Sequence, residues 1–166
     1  AMKAHFPFHE IKLSDRFFKA PVYNSWIELT YYQTQENILK YAKGILENGF
    51  PSGVLMIDDG WSPYYGRGQF RGDNFKDAKA MIKELHEMGF SVMLWICPFV
   101  TPDTLEFRKA RDKHFLIETP EGKPRILEWW NGYSAALDLT NPDALKWLKD
   151  QLDVLMDMGV DGFKLD

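Results

Sequence analysis

The chain has 166 residues, 45% hydrophobic and 27% charged, the range of one ordinary globular domain with enough apolar residues for a sizeable core. Its formal net charge is -4 and no cluster of Lys and Arg is dense enough to track a phosphate backbone, so nucleic acid is not the expected partner and a small or neutral one is. The single cysteine, Cys97, excludes an internal disulfide and a Cys-rich zinc site while leaving the compartment open; no run of about 18 apolar residues suggests a membrane span, and no signal-peptide stretch opens the chain.

Residues 1–20 read as an irregular lead-in with apolar anchors. The first expected strand lies in PVYNSWIEL, at 22–28. Three repeats of one pattern follow: an amphipathic helix, a glycine, an apolar residue, then a strand rich in Val, Ile, Leu, Met and Phe. The first helix runs from Gln35 to Asn48 with Ile38, Ala42, Ile45 and Leu46 on one face, and leads through Gly49-Phe50 to GVLMIDD at 53–59. The second runs from Lys76 to Met88 with Ala80, Met81, Leu85 and Met88 on its face, and leads through Gly89-Phe90 to SVMLWIC at 91–97. The third starts at Asn141-Pro142-Asp143, an N-cap, a first-turn proline and a first-turn acid. It ends at Met158 and leads through Gly159-Val160 to a strand at 161–166. Each glycine stands where a helix closes on a left-handed residue.

Between the second and third repeats the rhythm breaks. Thr101 to Thr140 holds a helical piece near Pro102 to Arg111, a turn at 120–124, the pair Trp129-Trp130 and an extended SAALDLT. About 40 residues is too long for a simple connection, and insertions of this length are usually functional.

Strands apolar on both faces and alternating with helices predict a parallel sheet covered by helices, so the fold class is α/β. Four such units suit either an open doubly wound sheet or half of an eightfold barrel. A dinucleotide-binding sheet calls for a glycine-rich turn after its first strand, and NSWIELTYYQ has no glycine there, so the barrel is the better reading.

In either architecture the working residues lie at the carboxyl ends of the strands. Those ends carry Trp26 and Glu28, then Asp58, Asp59, Gly60 and Trp61, then Trp95 and Cys97, and finally Lys164 and Asp166. Carboxylates and tryptophans on one rim suit a neutral polyhydroxylated ligand, with Asp accepting from hydroxyls and Trp covering the apolar face of a ring. Lys164 and Asp166 are two apart on a strand and so share a face, where the ammonium favours the ionised carboxylate a nucleophile requires. A buried structural ion pair is the plain alternative. Asp58 and Asp59 would face opposite sides of an ideal strand, and Gly60 permits a turn that brings both to one ligand. A hard-cation site is the competing idea, but neither a D-x-D-x-D-G loop nor ligand spacing among His5, His9, His86 and His114 supports it, so no metal or cofactor is expected. Cys97 reads as a small buried residue.

Five segments then carry a resemblance. NSWIELTYYQTQENILKYAKGI, IDDGWSPYYGRGQF, KAMIKELHEMGFSVMLWICPFVTPDT, WWNGYSAALDLTNPDA and GVDGFKLD, in that order, resemble the catalytic barrel of glycoside hydrolase family 31. DDGW and the closing K-x-D are also similar to the retaining α-galactosidase families 27 and 36. The resemblance implies a (β/α)8 TIM barrel of which residues 21–166 are the N-terminal half, about four βα units, and a retaining α-glycoside hydrolase that needs no cofactor. It makes Asp166 the catalytic nucleophile and Lys164, Asp58 and Asp59 substrate-binding groups. Trp26, Trp61 and Trp95 would line the subsite, with Trp129, Trp130 and Asn131 at its rim. The general acid/base is an Asp expected on a later strand, outside these residues. The implied partner is an α-linked oligosaccharide or glycoside. The WWNG and LDLTNP version is similar to a subgroup that acts on α-galactosides, with α-glucosidase, α-xylosidase or a non-catalytic sugar-binding half-barrel as alternatives. The family barrel continues for four more units and usually follows a β-sandwich, so the chain reads as an incomplete catalytic domain that pairs with itself or with a complementary half.

Overall fold

The computed structural model describes residues 15–166, so most of the expected lead-in, with His5 and His9, lies outside the described residues. The elements, in chain order, are α1 (Arg16–Lys19), β1 (Val22–Asn24), α2 (Trp26–Leu29), α3 (Gln35–Glu47), β2 (Val54–Ile57), α4 (Ala78–Glu87) and β3 (Ser91–Ile96). There follow β4 (Phe99–Val100), α5 (Leu105–Asp112), β5 (Ile126–Trp129), β6 (Gly132–Ala136), α6 (Pro142–Met158) and β7 (Gly162–Leu165).

The four strands of the repeat form one parallel sheet in the order β1-β2-β3-β7. Its register aligns Val22 with Val54, Leu55 with Val92, and Trp95 with Lys164, which brings the carboxyl ends of all four strands to one rim. Every residue of β2 is buried, as a strand covered on both faces requires. The main core joins Leu55, Ile57, Val92 and Leu94 of the sheet to Ile38, Ala42 and Ile45 of α3, to Met81, Ile82 and Leu85 of α4, and to Leu155 of α6. On α4 the buried face is Ala78, Met81, Ile82 and Leu85; Ala80, expected on that face, is exposed.

The helices start where the sequence provides caps. Thr34, Asp77, Thr104 and Asn141 each accept a backbone N–H of the first turn, at 3.1, 2.9, 3.1 and 2.9 Å. Helix α6 closes on Gly159 at φ +118°, a conformation glycine adopts without a Cβ penalty.

The expected bounds of the first strand and of the insertion's helical piece need correction. The first strand stops at Asn24, because the Asn24 Oδ1 accepts the Trp26 N–H at 2.8 Å and turns the chain into α2. Glu28 therefore leaves the rim and lines a separate groove with Tyr23, Tyr32 and Tyr41. The insertion, in turn, is a folded unit: β4, β6 and β5 form an antiparallel sheet, and α5 and α6 pack beside it around Val100, Ala110, Phe115, Leu116 and Ala135. The helical piece starts at Leu105, three residues later than the spacing implied, because Thr104 is its cap.

Candidate active site

A pocket of about 250 Å³ opens at the carboxyl ends of the parallel strands, lined by Asn24, Trp26, Tyr31, Asp58, Asp59, Trp95, Trp130, Lys164 and Asp166. Trp26 enters it from α2, with its ring edge-on to Tyr31 at 5.0 Å. Trp130 reaches it from the turn of the β5–β6 hairpin and is 72% exposed, whereas Trp95 is almost wholly buried.

Asp166 follows β7 and is held by its neighbours. Its Oδ2 accepts the Trp95 indole N–H at 2.8 Å and faces the Lys164 ammonium at 3.0 Å. Both interactions favour the ionised form, so the Asp166 carboxyl lies below its ordinary range, the indole hydrogen bond being the larger cause and Lys164 the next. The period-two geometry that places Lys164 beside Asp166 is the one read from the sequence.

Asp58 and Asp59 follow β2 and both line the pocket, since the strand has ended at Ile57 and Gly60, at φ +98°, completes a turn. Asp58 is buried: its N–H donates to the Ser25 hydroxyl at 3.0 Å, Ser25 donates to Gln33 Oε1 at 2.8 Å, and Ser25 and Gln33 are themselves fully buried. One carboxylate oxygen of Asp58 accepts the Asp59 N–H at 2.9 Å. Asp59 accepts from Gly60 N–H at 2.7 Å and from the Tyr65 hydroxyl at 2.6 Å. Burial raises the Asp59 carboxyl above its ordinary range, and those two hydrogen bonds oppose the rise.

Three residues assigned to the subsite stand elsewhere. Trp61 is a core residue, 4% exposed, with its indole N–H on the Trp95 carbonyl at 2.7 Å and its ring against Phe70 at 5.1 Å. Trp129 does not line the pocket; its ring packs on Phe99 at 4.3 Å and meets Tyr65 edge-on at 5.1 Å, and it supports the neighbouring Trp130. Asn131 does not line the pocket; its amide donates to the Tyr65 hydroxyl and approaches Asp59 Oδ2 at 3.4 Å. Cys97 lines a separate apolar cavity with Trp61, and burial pushes its thiol up to about 12, which leaves it a neutral packing residue. Asn24 and Tyr31 line the pocket although sequence reasoning passed over them, and Tyr65, which does not line it, meets the site through its hydrogen bond to Asp59; its place in the loop after DDGW is the one signal that could have pointed to it. Among the described residues no group of three or more His, Cys, Asp or Glu is placed to hold a metal ion.

Parallel βα units with a carboxylate-lined pocket at their carboxyl ends define an α/β protein of the TIM-barrel class. The chain belongs to glycosyl hydrolases family 31: the TIM-barrel domain of that family matches residues 22–166. It is 33% identical over 151 residues to the myogenesis-regulating glycosidase of Mus musculus, covering 90% of this chain and 21% of that protein. Among solved structures, a GH31 α-xylosidase from a soil metagenome, complexed with xylose, superposes with TM-score 0.80 at 28% identity, covering 93% of this chain and 22% of the enzyme. The α-galactosidase TtGalA from Thermus thermophilus, in complex with p-nitrophenyl α-D-galactopyranoside, gives 0.76 at 28% identity over 93% of this chain and 32% of that one. The chain thus spans only 21% of that curated relative's length and 22% and 32% of those two structures.

Proposed function

We propose that these residues form the nucleophile-bearing half of a retaining α-glycosidase site, with α-galactosides as its substrates. Asp166 attacks the anomeric carbon and forms a glycosyl ester, while the leaving oxygen takes a proton from a second carboxyl group; water, activated by that second group, then releases the sugar. In retaining enzymes the two carboxyl groups stand about 5–5.5 Å apart. The second one is assigned to a residue outside these 166. Asp58 and Asp59 accept hydrogen bonds from the sugar hydroxyls, Lys164 donates to the substrate, and Trp26, Trp95 and Trp130 cover the ring. Strand edges β1 and β7, each paired on one side among the described residues, are where a complementary half or a second copy would add strands.

The observation that carries this reading is the convergence of the Trp95 indole and the Lys164 ammonium on one oxygen of Asp166, inside a pocket that two further carboxylates line. Support for an α-galactoside comes from the WWNG and LDLTNP segments and from the likeness to the Thermus α-galactosidase. The equal identity to the α-xylosidase favours an α-xyloside as the second reading.

In the full-length protein, Asp166→Asn is expected to lower kcat on the order of 10⁴-fold or more while calorimetry still detects sugar binding. Wild-type kcat/KM on aryl α-galactoside, α-xyloside and α-glucoside ranks the substrates. Sugar binding without turnover of any of the three would make the protein a lectin and end the enzymatic reading.

A further inference from the structure

Two adjacent tyrosines in the loop between β2 and α4 serve different partners. The Tyr64 hydroxyl donates to Glu106 of α5 at 2.6 Å, and Arg67 reaches the other oxygen of that buried carboxylate at 2.9 Å. Tyr65 is fixed through its backbone, its N–H donating to the Thr101 hydroxyl at 3.0 Å and its carbonyl accepting the Thr101 N–H at 3.1 Å. Its ring lies against Trp95 at 5.8 Å and Trp129 at 5.1 Å. Backbone, ring and loop are therefore all held before the hydroxyl meets anything.

That hydroxyl donates to Asp59 Oδ2 at 2.6 Å, and Asn131, 72 residues away in sequence from Asp59, donates to the same hydroxyl and approaches the same oxygen. Each carboxylate oxygen accepts about two hydrogen bonds. Tyr65 and Asn131 occupy Oδ2 and the Gly60 N–H takes one position on Oδ1, so a single acceptor position, on Oδ1, is left for a ligand. We infer that Tyr65, with Asn131, is a positioning residue: it fixes the Asp59 carboxylate so that one oxygen meets one sugar hydroxyl in a set direction, and ties that contact to the hairpin carrying Trp130. This rests on the glycosidase reading above. Tyr65 acts through Asp59 and touches no reacting atom itself.

A double-mutant cycle in the full-length protein tests it, with KM and kcat measured on whichever aryl α-glycoside the wild type hydrolyses fastest. Tyr65→Phe keeps the ring and its stacking but removes the donor; it is expected to raise KM about tenfold, the size of a hydrogen bond to a charged group, with kcat little changed. In an Asp59→Asn background the same substitution is expected to change KM by less than about twofold, since the group it positions is gone. Asn131→Ala, carried through the same cycle, gives the answer if Tyr65→Phe does not fold. Equal KM factors in both backgrounds, or a lowered Tm with KM unchanged, would overturn the inference and leave the glycosidase reading intact. A wild type that neither binds nor hydrolyses any α-glycoside would overturn both.

Discussion

Trp95 does more at the Asp166 carboxylate than a tryptophan expected only to line a sugar subsite. Its indole N–H is the leading cause of the lowered Asp166 pKa, ahead of Lys164, because a short hydrogen bond to the ionised form outweighs a half-exposed ammonium screened by water. A depressed carboxyl stays ionised to lower pH, so Asp166, the proposed nucleophile, is available on the acid side and is lost only as pH falls through that depressed value. Trp95→Phe removes the donor and lets the Asp166 pKa rise towards the ordinary carboxylate range. The acid limb of kcat/KM is therefore expected to move to higher pH in that variant, read from a pH–rate profile with Lys164, Asp58, Asp59 and Tyr65 unchanged. An acid limb that stays in place would separate Trp95 from the ionisation of Asp166. At this scale the sequence placed Lys164 beside Asp166 correctly because the strand period is fixed by backbone geometry. It misplaced Trp61, since DDGW reads the same whether the indole faces a ligand or the core, and the buried hydrogen bond to the Trp95 carbonyl decides which.

Among the elements, helix α6 depends on its end. Gly159 stands at φ +118°, and a Cβ there would meet Ile82 Cγ2 at 3.0 Å. Gly159→Ala is expected to destabilise the fold by about 1–2 kcal/mol, seen as a lower urea midpoint with an unchanged m-value. An unchanged midpoint would mean that the turn into β7 relaxes without cost. The repeat of helix, glycine and strand was legible because each of its signals is local: cap, apolar stripe, left-handed stop. The insertion was less so. Its strands pair Phe99 with Ala136 and Ile126 with Ala135, and the first pairing spans more than thirty residues with no periodic signal of its own. The shortened β1 has a different cause, a single side chain, Asn24, competing for the Trp26 N–H.

Taken whole, the molecule presents a four-stranded parallel sheet with β1 and β7 at its edges and exposed apolar residues Val22, Ile27, Phe50 and Leu165 near them. Its pocket holds the assigned nucleophile and sugar-binding carboxylates but no group assigned to protonate the leaving oxygen. General acid catalysis alone contributes about 10²- to 10⁴-fold, so hydrolysis of an aryl α-galactoside by the 166 residues alone is expected to stay near background. Turnover comparable to that of a complete family barrel would show that the pocket already contains its acid.

The order of the four parallel strands and the helices between them, the rim at which the chemistry gathers and the pairing of Lys164 with Asp166 were determined by the sequence itself, because helix and strand periods are properties of a few consecutive residues. The tertiary structure alone decided that Asp58 and Asp59 share one pocket, that Trp61 belongs to the core, and that Tyr65 and Asn131 meet at Asp59. The last of these depends on how the loop after β2 and the β5–β6 hairpin pack against each other across 72 residues, and packing of that range leaves no period in the chain.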